Sequence, residues 1–181
     1  MKKTPFVASA CSTLLVAILT LSSIALAQQK TQPAGQGDQS KLVQMVRDAT
    51  KQYLDVNNAI KDGYEPFLGC VSGSDHGAMG IHYVNGNLLN GTIDVAHPQA
   101  LIYEPSNGQM KLVGVEFITI ATTWLQNNAS PPVLEGQVFL YVDSPNRFNI
   151  PAFFELHVWA WRDNPQGDFV DWNNHVTCAH E

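Results

Sequence analysis

Two stretches, residues 109–122 and 152–162, constrain the fold more than any other part of the chain, because both read as β-strands with two apolar faces. In "AFFELHVWAWR" one alternating register is apolar throughout, while the other holds Glu155 and His157 among large aromatic side chains. In "KLVGVEFITI" one register is apolar except for Glu116. The opposite register of that strand contains Val113, Val115 and Phe117.

Strands that are apolar on both faces need cover on both faces, since an open sheet would expose a large aromatic patch to water. A curved sheet meets this need, because one face can pack under a helix while the other lines a pocket. The sequence therefore predicts an α+β fold, with an N-terminal amphipathic helix packed on a curved antiparallel sheet or small β-barrel. We expect the ionisable groups of the strands in the wall of the pocket.

One amphipathic helix of about 21 residues is predicted, with Ser40 able to cap its start and a stop signal at Gly63. Apolar residues recur at steps of three and four, which is the spacing of one helix face. They are Leu42, Met45, Val46, Ala49, Tyr53, Val56 and Ile60.

Five strands are predicted after this helix, separated by segments rich in Gly, Pro, Asn and Asp. The segment "PSNGQ" between two of them is a hairpin signal, because Asn-Gly favours a two-residue turn. The segment "CVSGSDHGAMG", residues 70–80, is interpreted as a glycine-rich loop. The predicted strands are residues 78–84, 99–104, 109–122, 136–143 and 152–162.

The first 27 residues have the pattern of a secretory signal peptide, with a basic start, an apolar run and a small-residue exit. We expect cleavage after Ala27, a flexible leader over residues 28–40 and a single α+β domain over residues 41–181. A membrane anchor is the competing interpretation, which the lack of a basic flank after the apolar run disfavours. The predicted location is periplasmic or secreted, with no stable membrane anchor after cleavage.

The charge of the processed chain argues against nucleic acid as a partner. With Lys2 and Lys3 removed, eight of the ten basic residues remain against sixteen acidic ones, a net charge of 8 − 16 = −8. No run of basic residues remains to contact phosphates or an anionic lipid surface.

Two cysteines, Cys70 and Cys178, remain once the signal peptide has taken Cys11 with it. An oxidising compartment favours a disulfide between them, which would tie the start of the core to the last few residues of the chain. Two free buried thiols are the alternative interpretation.

The candidate site residues are histidines and glutamates, most of them on strands that give their side chains a fixed direction. His82 lies in the strand "GIHYV", Glu116, Glu155 and His157 lie on the two long strands, and His76 in the glycine-rich loop is an outer candidate. Imidazoles and a carboxylate on neighbouring strands suit a divalent transition metal such as Zn, Fe, Mn or Cu. The alternatives are acid–base catalysis and a structural role, in which each histidine is hydrogen-bonded inside a packed interior.

Three segments resemble a family of exported bacterial proteins over most of the processed chain. They are "GCVSG…GAMGIHYVN", "LIYEP…KLVGVEF" and "FELHVWAWRDNPQGDFVDWN…C". The resemblance implies that these segments form one unit with GIHYVN and ELHVWAW at its centre. It brings no catalytic residues with it.

The leading functional hypothesis is an exported domain that binds a small ligand or a metal ion. A metal-assisted hydrolase or oxidoreductase using the same histidines and glutamates is the second hypothesis. A purely structural envelope protein is the third. The sequence assigns no cofactor; a divalent transition metal is the candidate, and metal content distinguishes the first two hypotheses from the third.

Overall fold

A curled, six-stranded antiparallel sheet with short helices on one face forms the structure. The computed structural model describes Met1 and residues 40–181, so the predicted signal peptide and nearly all of the predicted leader lie outside the described residues. Residues 40–181 belong to one compact unit. Among residues 40–181, no helix combines the length and the apolar character needed to cross a bilayer.

The helices are short and the strands vary from two to twelve residues. The helices are α1 (Lys41–Thr50), α2 (Val56–Lys61) and α3 (Ala121–Leu125), with 3₁₀ turns at Lys51–Leu54 and Gly86–Leu88. The strands are β1 (Glu65–Gly73), β2 (Gly77–Val84), β3 (Ala100–Ser106), β4 (Gln109–Ile120), β5 (Val133–Leu134), β6 (Gln137–Val138), β7 (Leu140–Val142) and β8 (Phe153–Val158).

The main sheet has the strand order β1-β2-β3-β4-β8-β7, and every neighbouring pair is antiparallel. Strands β5 and β6 form a separate two-stranded hairpin. The main sheet curls into half of a barrel, which confirms the predicted α+β class with a curved sheet. The predicted "PSNGQ" hairpin joins β3 to β4, where Asn107 and Gly108 both have positive φ as a tight turn requires.

The predicted single helix is interrupted, and α1 and α2 are separate. Asp55 adopts an extended conformation, and its side chain accepts a hydrogen bond from the Asn57 amide to cap α2. The break leaves the Tyr53 carbonyl available, and the Tyr103 hydroxyl donates a hydrogen bond to it at 2.7 Å. Ile60, predicted on the apolar stripe, is instead 51% exposed.

The helices cover one face of the sheet and bury its apolar residues. Leu42 and Val46 of α1 pack with Leu101 of β3 and Val115 and Phe117 of β4 in the main core. All are nearly or fully buried, and burial of such a side chain contributes roughly 1.5–3 kcal/mol. The opposite face of the sheet, away from α1 and α2, is called the site face below.

A bulge in β4 moves one predicted core residue to the other face. Ile102 pairs with Gly114 while the next residue, Tyr103, pairs with Leu112, so Val113 is an extra residue between the two pairs. Val113 therefore packs with Ile102 and Trp159 on the site face. The expectation that it shares a face with Val115 and Phe117 is wrong.

The first strand was not predicted, because residues 70–80 were interpreted as a glycine-rich loop. Residues 65–73 form β1, residues 77–84 form β2, and a short turn joins the two strands. The pairing of β1 with β2 is irregular between Phe67 and Val71, and Leu68 within that irregularity has a φ of 60°. Phe67 and Leu68 are exposed at this edge of the sheet.

The last 20 or so residues have no long regular element and are held on the sheet by specific ties. Asn173 forms a β-bridge with Ala78, and the Thr177 amide donates a hydrogen bond to the Glu104 carboxylate at 3.0 Å. The predicted disulfide between Cys70 and Cys178 is present, with a Cα–Cα distance of 5.6 Å. A disulfide is compatible with an exported protein.

Candidate metal centre

Strand register brings three of the predicted site residues together on the site face. Glu116 on β4 pairs directly with His157 on β8, so their side chains are neighbours. His82 lies on β2, one strand beyond β3, and its β3 neighbours are Ile102 and Ala100. Because Ala100 and Ile102 are apolar, His82 and Glu116 meet across this part of β3.

The three side chains form a buried polar cluster. The His82 Nε2 and Glu116 Oε2 atoms are 3.3 Å apart, and the His82 and His157 rings meet edge to face with centroids 5.8 Å apart. One ligand atom from each of His82, Glu116 and His157 lies within 4.8 Å of the other two. Atoms bound to one zinc ion at about 2.0–2.1 Å are at most about 4.2 Å apart, so small side-chain rotations complete a shared site.

His157 is the least satisfied polar residue of the cluster. Its side chain is 1% exposed and stacks on Trp159. Within the described part of the chain, neither ring nitrogen of His157 makes a hydrogen bond. Buried polar atoms are nearly always paired, and an unpaired one needs an explanation such as a bound ion.

Asp171 also belongs to this site, although sequence reasoning did not select it. Its Oδ1 atom is 3.6 Å from the His157 Nδ1 atom, which is too long for a hydrogen bond, and it too has no hydrogen-bond partner among the described residues. Asp171, Glu155 and His157 form a second group whose ligand atoms lie within 4.8 Å of one another. The Trp159 indole donates a hydrogen bond to the Val170 carbonyl and so holds this segment in place.

Both imidazoles are neutral near pH 7. Burial lowers the pKa of His82 to about 4, and a hydrogen bond between the ring and the Gly80 backbone only partly opposes this. Burial, together with the neighbouring His82 ring, lowers the pKa of His157 well below its ordinary value. A neutral imidazole has a free lone pair, which is the form that binds a metal ion.

The carboxyl groups lack a positive partner. Burial raises the pKa of Glu116 well above its ordinary value, and the nearby Glu155 and Asp171 carboxyls raise it further. Burial also raises the pKa of Glu155 to about 7, although the hydrogen bond with Glu116 acts in the opposite direction. No Lys or Arg is among the described residues that line the cavity beside this cluster. A divalent cation would supply the missing positive charge.

The cluster borders a narrow cavity of about 40 Å³. A water molecule needs roughly 10–15 Å³ of this kind of volume, so the cavity has room for an ion and a bound water. Apart from the two histidines, Glu116 and Glu155, its lining is apolar. Two histidines and one carboxylate with an open position are a donor set used by catalytic zinc and by non-haem Fe(II) centres.

Of the two remaining predicted candidates, Glu155 lies at this site and His76 lies elsewhere. Glu155 lies on the site face of β8 and lines the same cavity as His157. His76 does not join the cluster: it is exposed in the β1–β2 turn, near Trp172, and lines a separate open cleft. The expectation that His76 is an outer member of the site is therefore not met by the structure.

Gly80 lies two residues before His82 on β2, and its replacement by alanine is expected to destabilise the fold by at least about 2 kcal/mol. Gly80 has a φ of 105°, and an added Cβ would lie 2.7 Å from the Tyr103 carbonyl oxygen. Urea unfolding measures the loss. The matched control is Gly86→Ala, since an added Cβ there meets no atom within 4 Å; a change within about 0.5 kcal/mol is expected for it. Equal stability of the two variants would contradict this explanation.

Comparison with known proteins adds no family to this description. The chain matches no family model, and no curated protein or solved structure is significantly similar to it. The interpretation of the site therefore rests on its own geometry and chemistry.

Proposed function

We propose that this domain binds one divalent transition-metal ion, with His82, Glu116 and His157 as ligands. The observation that supports this most strongly is the His157 ring, which is buried with both nitrogens unpaired among the described residues. Asp171 and Glu155 flank that ring, and in this proposal they orient it and leave a coordination position of the ion open. Carboxylates beside metal-binding histidines commonly have this role.

Two other deeply buried polar residues, Gln99 and Asn173, have complete hydrogen bonding, which argues against a purely structural cluster. Gln99 is also almost fully buried, and its amide nitrogen donates to the carbonyls of Leu88 and Thr92 while its amide oxygen accepts from the Ile118 amide. Asn173 is likewise hydrogen-bonded through both side-chain atoms. Among the described residues the Thr119 hydroxyl oxygen is also buried without a partner, but Gln99 and Asn173 are fully paired, and His157 differs from them because both of its ring nitrogens are unpaired.

The cellular setting that we propose is outside the cytoplasm, in the periplasm or in the surrounding medium. The signal-peptide pattern of residues 1–27 and the resemblance to exported bacterial proteins support this location. The Cys70–Cys178 disulfide is compatible with it, because disulfides persist in oxidising compartments. The metal ion would then be acquired after export.

Metal titration of the purified protein tests the proposed site. Protein without a histidine tag is freed of metal with a chelator and titrated with Zn²⁺ by calorimetry. One equivalent is expected to bind, and Co²⁺ in its place is expected to give the visible absorption of a protein-bound ion with nitrogen ligands. His157→Ala is expected to lower zinc affinity by at least about 100-fold, since even partners behind a ligand contribute 10–100-fold.

His97→Ala is the matched control for this titration. His97 pairs with Asp94 at 2.7 Å in an exposed turn, so it is another histidine beside a carboxylate, away from the cluster. Its loss is expected to leave zinc affinity unchanged. Glu116→Gln, which keeps the shape of the side chain, provides a second ligand variant if His157→Ala does not fold. Wild-type protein that binds no zinc, or ligand variants that bind it as well as wild type, would contradict the proposal.

A further inference from the structure

An apolar groove continues from the polar cluster of His82, Glu116 and His157 along the site face. It has a volume of about 370 Å³ and lies between the β1 edge of the sheet and the segment that precedes β8. Its walls include Phe67, Val84, Leu89, Ile120 and Ile150. A cavity of this size is within the usual range for a bound small molecule.

The groove and the cluster cavity are continuous in their lining. Phe67, Val84, Ile118 and Ile150 border both spaces. A molecule lying in the groove therefore reaches Glu116 and the histidines with one end. On β4 the distance from Glu116 to Ile120 is four residues, roughly 13 Å at about 3.3 Å per residue, which is long enough for an eight-carbon chain of about 9 Å.

The chemistry of the two ends differs. At the cluster end, two neutral histidines and one carboxylate leave a divalent ion with positive charge and an open coordination position. At the outer end, Glu65 is exposed and is the one acidic group among the described residues that line the groove. A second negative charge on the ligand would be repelled there, and the walls between the ends offer apolar contacts.

We propose that the groove binds an apolar monocarboxylic acid of medium chain length, with its carboxylate on the metal ion and its chain along the apolar walls. This inference rests on the proposed metal site. The metal supplies the attraction for the carboxylate, and burial of each methylene group adds affinity. The acid is bound without being chemically changed.

Binding of octanoate to the zinc-loaded protein tests the inference. Calorimetry is expected to show octanoate binding at least tenfold more tightly than acetate, which lacks the chain, and than 1-octanol, which lacks the carboxylate. Octanoate is expected to bind at least tenfold more weakly after the zinc has been removed. Equal affinity for octanoate and acetate would overturn the role of the groove, and full octanoate affinity without zinc would overturn the role of the metal.

A groove variant separates failure of this inference from failure of the metal site. Leu89→Arg places a charged side chain in the groove wall without touching the cluster, so it is expected to weaken octanoate binding at least tenfold and leave zinc affinity unchanged. Leu54→Arg, at an exposed leucine in the helical part of the chain, is the control and is expected to change neither. If wild type binds zinc but shows no preference for octanoate, only this inference fails. If it binds no zinc, the proposed function fails with it.

Discussion

Removing the Cys70–Cys178 disulfide is expected to destabilise the domain by about 4–5 kcal/mol, which is a large part of the stability of a typical domain. The two cysteines are 108 residues apart. In the chain-entropy model, opening a loop of about 100 residues raises the conformational entropy of the unfolded chain and lowers its free energy by roughly 4.7 kcal/mol. The disulfide also anchors the C-terminal segment that contains Asp171, so its loss should weaken metal binding as well.

Urea unfolding of the double variant Cys70→Ser/Cys178→Ser, compared with wild type, measures this effect. Wild-type protein unfolded in the presence of a reducing agent is the control, and it should lose the same amount because both treatments remove one bond. A loss below about 1 kcal/mol in both would contradict the expectation that this bond restrains the unfolded chain.

Replacement of Glu104 by alanine is expected to cost about 3 kcal/mol. Glu104 is buried on β3, where its carboxylate forms an ion pair with Arg162 and accepts a hydrogen bond from the Thr177 amide. Its removal leaves both partners without a counterpart. The cost is at the lower end of the range for buried pairs because the Arg162 side chain is 35% exposed and can regain water.

The control for this prediction is Glu104→Gln, whose amide oxygen can still accept from the Thr177 amide. It should lose less stability than Glu104→Ala, since the hydrogen bond from the Thr177 amide is kept while the Arg162 guanidinium loses its acceptor. Thermal or urea unfolding of both variants measures the difference. Similar losses in the two would show that the charge of Glu104, rather than its hydrogen bond to the C-terminal segment, accounts for the effect.

The strands with a clear alternation could be predicted from the sequence, and those shaped by tertiary contacts could not. The β3–β4 hairpin was predicted because Asn107 and Gly108 are both suited to positive φ. Strand β1 was missed because its sequence contains Pro66, Gly69 and Gly73 and no alternating pattern. Its extended conformation depends on pairing with β2, which no local signal reports.

The two errors in the position of side chains also have tertiary causes. The sequence predicts a helix that continues through Asp55, because the apolar spacing continues there. In the structure the helix breaks at this point, and the Tyr103 hydroxyl donates a hydrogen bond to the Tyr53 carbonyl that the break exposes. Val113 was placed with Val115 because strict alternation was assumed. The bulge opposite Ile102 adds one residue to β4 and reverses the direction of Val113.

The candidate site was predicted where strands fix the direction of side chains. His82, Glu116, Glu155 and His157 were selected because each interrupts an apolar strand, and the structure brings all four to one cavity. Asp171 was missed because it lies in an irregular segment. The predicted disulfide indicated that this tail returns to the sheet, but nothing in the sequence distinguished Asp171 from the other aspartates of the tail.

A crystal structure of the protein with one equivalent of zinc, with anomalous scattering recorded at the zinc absorption edge, tests the central claim most directly. The account predicts a single strong anomalous peak on the site face, with one nitrogen each from His82 and His157 and a Glu116 oxygen at about 2.0–2.2 Å. A peak located instead at an exposed pair such as His97 and Asp94 would contradict it. The lack of any anomalous peak beside His157 would contradict it too.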